Sequence, residues 1–365
     1  MGGRKNHYGY HEYRGRGGGR GRAVLLFIII LLAVLLAVGA AFYAMVELEY
    51  TDNGVKISWR NGQEAPSHPP IVSDPLEVVT NPVDVTVEPT QTVEPTPTPT
   101  PEPEYQPIAA VTVTTAQLRG GSAAQAVAAA GGNALVVEMK DINGRLAWQS
   151  QAALAATLGS SASDGLTTQA VQALAQTTDL YLVAKIQCFR DPLLARNRIG
   201  SLMTRGGNVW HDSQGVGWSS PANQQAADYL SALCLELADM GFDEILLDRA
   251  GYPNFGEVNV LAVSDNRPED LTVPVSAFLE RLSGELKERG VCLSVYTDET
   301  LLPGSVVNTG LTADVLAAHV GRVWLNGSAS AQQYAPLLTA AGWGEGAAPR
   351  LVSKNAPYGG GSWYR

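Results

Sequence analysis

Carboxylates at the ends of apolar strands, with lysines between them, are the residues of this chain that could do chemistry. Asp248 closes the run DEILLD (243–248), and Arg249, Tyr252 and Pro253 lead on into a loop. Period-two alternation puts Glu138 and Lys140 on one face of ALVVEM-K (134–140). It puts Lys185 and Gln187 on the matching face of LYLVAKIQC (180–188), and Glu244, Leu246 and Asp248 on that of the next strand. Neighbouring strands lie about 4.8 Å apart, so side chains converging from two strands apart reach the separation a carboxylate pair needs. Such a pair hydrolyses glycosidic bonds when one carboxyl is ionised and the other protonated, and Lys185 or Lys140 between them can hold one ionised. Asp248 is then nucleophile or electrostatic stabiliser. Its acid/base partner is Glu138 or Asp298, which follows VCLSVY (291–296), and Lys185 and Arg249 tune the pKa values. Two structural alternatives stand beside this reading. Asp248 could cap a helix or pair with Arg249, and Glu138 could pair with Lys185. Glu244 shares the face of Asp248 but lies deeper, and reads as structural.

The loop after the third strand is the longest of the domain and carries Arg190, Asp191, Trp210, His211, Asp212 and Trp218. Tryptophans beside carboxylate and amide groups suit sugar rings, whose CH faces stack on indoles. Tryptophans that only plug a barrel end are the alternative, and the Gly/Asn/Ser context favours an exposed platform. Other chemistries lack their residues. There is no GxSxG elbow for a serine hydrolase. His211 and His319 are the only histidines after residue 107, too few for a typical zinc deacetylase site. Cys188, Cys234 and Cys292 fall on strand or helix positions and read as buried small hydrophobes. Neither a metal nor a cofactor is expected.

These residues are positioned by alternating elements. Strand-like runs at 108–114, 134–139, 180–188, 243–248, 291–296 and 321–325, and a weak one at 349–353, alternate with Ala-rich helical stretches. Short apolar strands alternating with helices predict a parallel sheet, and 108–365 is long enough for a (β/α)8 barrel of the TIM type. The number of strands stays open between seven, which would leave the barrel incomplete at its C-terminus, and eight, because the chain reaches SWYR without a clear eighth strand. The fifth strand turns Cys292, Ser294, Tyr296 and then Asp298 inward, so polar residues gather at the C-terminal mouth, where catalytic sites of such barrels lie.

Ahead of the barrel, residues 23–46 are 24 consecutive uncharged, mostly apolar residues, reaching roughly 36 Å as a helix. That spans a hydrocarbon core, and it is longer than the apolar region of a cleaved signal peptide. Arg14, Arg16, Arg20 and Arg22 precede it and Glu47 and Glu49 follow, which predicts a single-pass anchor with 1–22 in the cytoplasm and the barrel outside. Segment 47–60 carries a hairpin signal around Asp52-Asn53-Gly54. Twelve of the 21 prolines fall between Pro66 and Pro107, so the rest of 47–107 reads as an extended Pro/Thr-rich stalk. After the span the chain carries a net charge of about −15, which argues against a nucleic-acid partner.

The segments NALVVEMKDINGRL (133–146), YLVAKIQCFRDPLLA (181–195), GGNVWHDSQGVGWSSP (206–221) and GFDEILLDRAGYP (241–253) carry a family resemblance. The chain resembles a domain of bacterial surface proteins, long catalogued as of unknown function, whose barrel is related to the α-amylase-like glycosidases. The resemblance covers roughly 108–326. It implies a (β/α)8 barrel and action on glycosidic bonds, with Asp248, Asp191 and Pro192 on the family's motif positions. Three positions depart. Glu138 stands where the family has Asp, Ser220 replaces an acid, and Tyr296 stands in place of the fifth strand's Asp. The expected partner is a cell-wall glycan or other polysaccharide. The alternative is a degenerate barrel that binds wall glycan, or an envelope protein, without cleaving it.

Overall fold

The computed structural model describes residues 46–51, 54–59, 105–297, 308–326 and 328–365. Asp298, the apolar run 23–45 and most of the proline-rich stretch lie outside the described residues. Among the described residues no helix is long and apolar enough to cross a membrane. Strands β1 (Val46–Thr51) and β2 (Gly54–Trp59) pair antiparallel with Thr51 opposite Gly54, as the hairpin signal predicts.

The second unit is a closed barrel of eight parallel strands. In chain order they are β3 (Ala109–Val113), β4 (Ala134–Lys140), β5 (Tyr181–Gln187), β6 (Glu244–Asp248), β7 (Cys292–Thr297), β8 (Arg322–Leu325), β9 (Leu351–Lys354) and β10 (Ser362–Tyr364). Of the two alternatives, seven strands or eight, the structure has eight, and the barrel is closed at its C-terminus. Ser-Trp-Tyr is the eighth strand, pairing with β9 on one side and β3 on the other. Three residues suffice because both neighbours are already aligned: Trp363 N donates to Ile108 O at 2.9 Å and Arg365 N to Ala110 O at 3.1 Å.

Helices cover the outside, and one shows how the sequence sets them. In the helix Gln224–Met240 the Asn223 side chain accepts from Ala226 N as N-cap, and Gly241 ends it in the left-handed region at φ 113°. Leu230, Leu233, Cys234 and Leu237 form its buried stripe against the strands. The outward strand residues Leu135, Val137, Ile186, Ile245, Leu247 and Val295 belong to the same apolar layer. Inside the barrel a separate cluster of Ala110, Ala134, Val136, Val183, Leu246, Trp324 and Val352 fills the middle.

The N-terminal end of the barrel is closed by a buried polar network. Glu244 is fully buried and accepts from Arg322 at 2.8 Å, the Tyr181 hydroxyl at 3.0 Å and Trp324 Nε1 at 2.7 Å. Tyr105 lies against the guanidinium groups of Arg322 and Arg350, and Arg322 also donates to Gln106 O at 2.9 Å. The chain therefore joins the barrel at its floor. Removing one partner of a buried ion pair strands the other charge. Arg322→Met should thus lower unfolding stability by about 3–5 kcal/mol in denaturant titrations. A loss below about 1 kcal/mol would show that this network does not hold the floor.

Candidate active site

The C-terminal mouth gathers side chains from β4, β5, β6, β7, β9 and β10. Asp248 ends β6 and is 6% exposed. Its Oδ2 accepts from Gln187 Nε2 at 2.7 Å and from Lys185 Nζ at 2.9 Å, while Arg249 Nε stands 3.7 Å from Oδ1. Arg249 has φ 56°, a left-handed conformation that non-glycine residues rarely take. Such strain persists only where surrounding contacts over-determine it. Here Phe189 N donates to Arg249 O at 3.2 Å, Arg249 Nη1 donates to Asn254 at 3.2 Å, and the guanidinium lies 5.1 Å from the Phe255 ring.

Glu138 sits on β4 in register with Lys185 and is exposed to the mouth. Its carboxyl is held above the usual glutamate range. Desolvation at the rim is the main cause, the charges of Asp141 and Asp248 add to it, and Lys185 opposes them. Lys185 thus stands between two carboxylates, as the strand alternation predicts. It also lies 5.8 Å from the ring of Tyr296, which pairs with Asp248 across β6 and β7. Tyr296 is hydrogen-bonded to the hydroxyl of Tyr364 on β10, whose ring tilts against Trp324 at 5.2 Å. Desolvation first, then Tyr296 and Asp248, raise the Tyr364 pKa.

Several residues expected at the mouth are elsewhere. Lys140 is fully buried. A bulge between Glu138 and Lys140 reverses the alternation, so Lys140 leaves the barrel interior and pairs with Asp191 at 2.8 Å. Asp191 caps the helix Pro192–Arg196, accepting from Leu193 N at 2.7 Å and Leu194 N at 3.0 Å. The expected tryptophan platform is corrected as well. Trp210 and Trp218 are 2% and 0% exposed, and their indole N–H groups donate to Glu257 O and Asp212. They plug the loop from beneath because their N–H groups find partners inside it. Tyr252 is also buried, its hydroxyl bonded to Asn266 O and Ser220 Oγ. Ser220 at the family's acid position therefore ties two loops together.

Asp212 organises the long loop. It accepts from Arg190 at 2.7 Å, Trp218 at 3.0 Å, and the backbone N–H groups of Gln214 and Val216. Desolvation pushes its pKa up, but these hydrogen bonds prevail and hold it below the usual range. Arg190 in turn lies 5.8 Å from Phe255, so Phe255 is flanked by Arg190 and Arg249. Sequence reasoning put Gln187 on the inner face but gave it no role, and missed Phe255 and Tyr364. A lone Phe between Asn and Gly, and strands of three or four residues, carry no periodic signal. Among the described residues no group of three potential metal ligands occurs.

An eight-stranded parallel barrel with carboxylates and lysine at its C-terminal mouth is the architecture of (β/α)8 enzymes. Residues 109–301 match the family described as "Putative glycosyl hydrolase domain", and the chain belongs to that family. It is thus of the glycoside-hydrolase type. Solved structures similar to it include a hypothetical protein from Ruminiclostridium thermocellum ATCC 27405, at 22% identity over 54% of this chain and 100% of that one, with a TM-score of 0.44. A chitinase from Chromobacterium violaceum ATCC 12472 has 14% identity over 67% and 68% of the two chains, with a TM-score of 0.38. An exo-β-N-acetylglucosaminidase from Vibrio harveyi has 11% identity over 70% and 42%, with a TM-score of 0.43. No curated protein matches the sequence.

The Asp212 cluster has a definite pH signature. A carboxyl whose folded pKa lies below its unfolded value of about 3.9 stabilises fully above that pH. The stabilisation is lost as pH falls through the folded value. Asp212→Asn should cost about 3–5 kcal/mol at neutral pH, since it breaks a buried pair. The gap to wild type should close below about pH 4. Denaturant unfolding at several pH values checks this, and a gap independent of pH would overturn it.

Proposed function

We propose that this chain is a membrane-anchored, extracytoplasmic glycoside hydrolase that cleaves glycosidic bonds of cell-envelope or environmental polysaccharide. The observation that carries the reading is the pair of carboxylates flanking Lys185. Asp248 is held by a lysine and an amide beside a strained arginine, and Glu138 has a raised pKa and faces the mouth. Opposed environments on two carboxyls separate an ionised role from a protonated one. Asp248 is the nucleophile or electrostatic stabiliser. Glu138 gives its proton to the leaving oxygen and then serves as base. Lys185 pairs with Asp248 at 2.9 Å, and Arg249 and Tyr296 border the sugar.

The anchor rests on the sequence: the uncharged run 23–46 is long enough to span a bilayer, and its arginine-rich flank belongs on the cytoplasmic side. Residues 47–107 then act as a stalk, and 108–365 as the hydrolase domain.

The test is release of new reducing ends by the full-length protein in mild detergent. Purified wall polysaccharides, peptidoglycan, and α- and β-glucans serve as substrates, read by mass spectrometry. Asp248→Asn should abolish product. Glu138→Gln should lower kcat/KM by about 10²–10⁴-fold. The wild-type rate should fall as pH rises through the Glu138 pKa, because the acid must be protonated, and Glu138→Gln should lose that limb. Loss of the limb in Asp298→Asn instead would move the acid/base role to Asp298. Undiminished turnover in Asp248→Asn would sink the assignment. Glycan retention without product would point to a binding module.

A further inference from the structure

Two oxygen atoms at the mouth, on side chains that are bonded to each other, are buried without a donor among the described residues. Asp248 Oδ1 and Gln187 Oε1 have no hydrogen-bond partner among the described residues, and their side chains belong to residues 6% and 5% exposed. The two groups touch. Gln187 Nε2 donates to Asp248 Oδ2 at 2.7 Å, so that bond orients the amide and leaves its carbonyl oxygen over. Arg249 Nε stands 3.7 Å from Asp248 Oδ1, too far for a hydrogen bond. Gln187 has no freedom to retreat. It ends β5 in register with Asp248, and its backbone oxygen accepts from the buried Lys140 at 2.6 Å. Buried acceptors are normally paired, and a pair left open on the strand ends of a barrel mouth calls for a ligand that donates. Lys185 and Arg249 already supply positive charge there, which disfavours a metal ion and favours neutral donors.

We propose that Gln187 is a substrate-reading residue, whose Oε1 accepts a hydroxyl or amide N–H on the sugar ring beside the reacting carbon, while Asp248 Oδ1 faces that carbon. This rests on the glycoside-hydrolase reading given above and deepens it. The amide does two jobs at once. Its Nε2 fixes one oxygen of Asp248, and its Oε1 registers the ring against the other. A ring lacking that donor leaves Gln187 Oε1 unpaired in the complex, which is how such a site rejects a deoxy analogue.

The experiment uses full-length protein in mild detergent and the glycan that wild type cleaves fastest among wall polysaccharides, peptidoglycan, and α- and β-glucans. Gln187→Met keeps the length of the side chain and removes the acceptor. It should lose on the order of 100-fold in kcat/KM or more, with a near-unchanged melting temperature. Gln187→Glu keeps an acceptor and sets a second carboxylate against Asp248. Its acid limb of the pH–rate profile should move up by about one unit or more, because two adjacent carboxylates share a proton. Activity of Gln187→Met within threefold of wild type would overturn the proposal. So would an unmoved acid limb in Gln187→Glu, which also carries the test if the Met variant does not fold. Should wild type cleave no glycan, the hydrolase reading fails by itself, and retention on the same glycans decides the role of Gln187. Weaker retention by Gln187→Met would support it. Equal retention, or none by wild type, would overturn it.

Discussion

The ion pair between Lys140 and Asp191 is the interaction on which the mouth depends. Both side chains are buried, and desolvating two charges is offset only where each finds further hydrogen bonds. They do. Lys140 also donates to Gln187 O, and Asp191 Oδ1 takes two backbone N–H groups of the helix it caps. The pair thereby joins the end of β4 to the end of β5. Gly144 in the loop after β4 allows the approach, because at φ 76° an added Cβ would stand 2.7 Å from Asp191 Oδ1. From β5 the tie continues to β6, since Cys188 N donates to Asp248 O at 2.8 Å. Three strand ends are locked at once, and they carry Glu138, Lys185 with Gln187, and Asp248.

That lock explains how opposed electrostatic environments coexist on β4 and β6, with β5 between them. A carboxylate keeps a low-mobility lysine and an amide only if the strands bearing them cannot shift. Asp248 has both partners on β5, the amide at its own level and the lysine one step below, whereas Glu138 stands at the partly desolvated rim in the field of two other acids. The difference comes from position along the strands. Asp248 is level with Gln187 and Tyr296, while Glu138 is level with Lys185 one step lower on a strand whose bulge turns the next lysine away.

Much of this was legible in the sequence, and the failures have physical causes. The alternation of Leu182, Ala184 and Ile186 against Lys185 and Gln187 is strict, and so is that of Ile245 and Leu247 against Glu244 and Asp248; both strands face as expected. Lys140 escaped because a bulge changes register without changing composition. The tryptophans escaped because exposure depends on what lies beneath a loop. A Gly/Asn/Ser context describes the backbone of that loop, and Asp212 and Glu257, which bind the indoles, are set by the tertiary fold. The eighth strand escaped because three residues cannot show a period.

That short strand completes the site as well as the barrel. The family match ends at residue 301, yet Tyr364 of β10 bonds Tyr296 on β7, three strands from its own in the order of pairing. Lys354 on β9 pairs with Tyr364 and shares the inward register of Val352. The carboxylates and Tyr296 belong to the stretch that the family defines, whereas Tyr364, which bonds Tyr296, comes from the stretch beyond it. Closure requires β9 and β10 to pair with β8 and β3, but it leaves the inward side chains at the mouth free to vary. Substitution in the last strands can thus alter the rim of the mouth without disturbing the Lys140–Asp191 lock that ties the ends of β4 and β5.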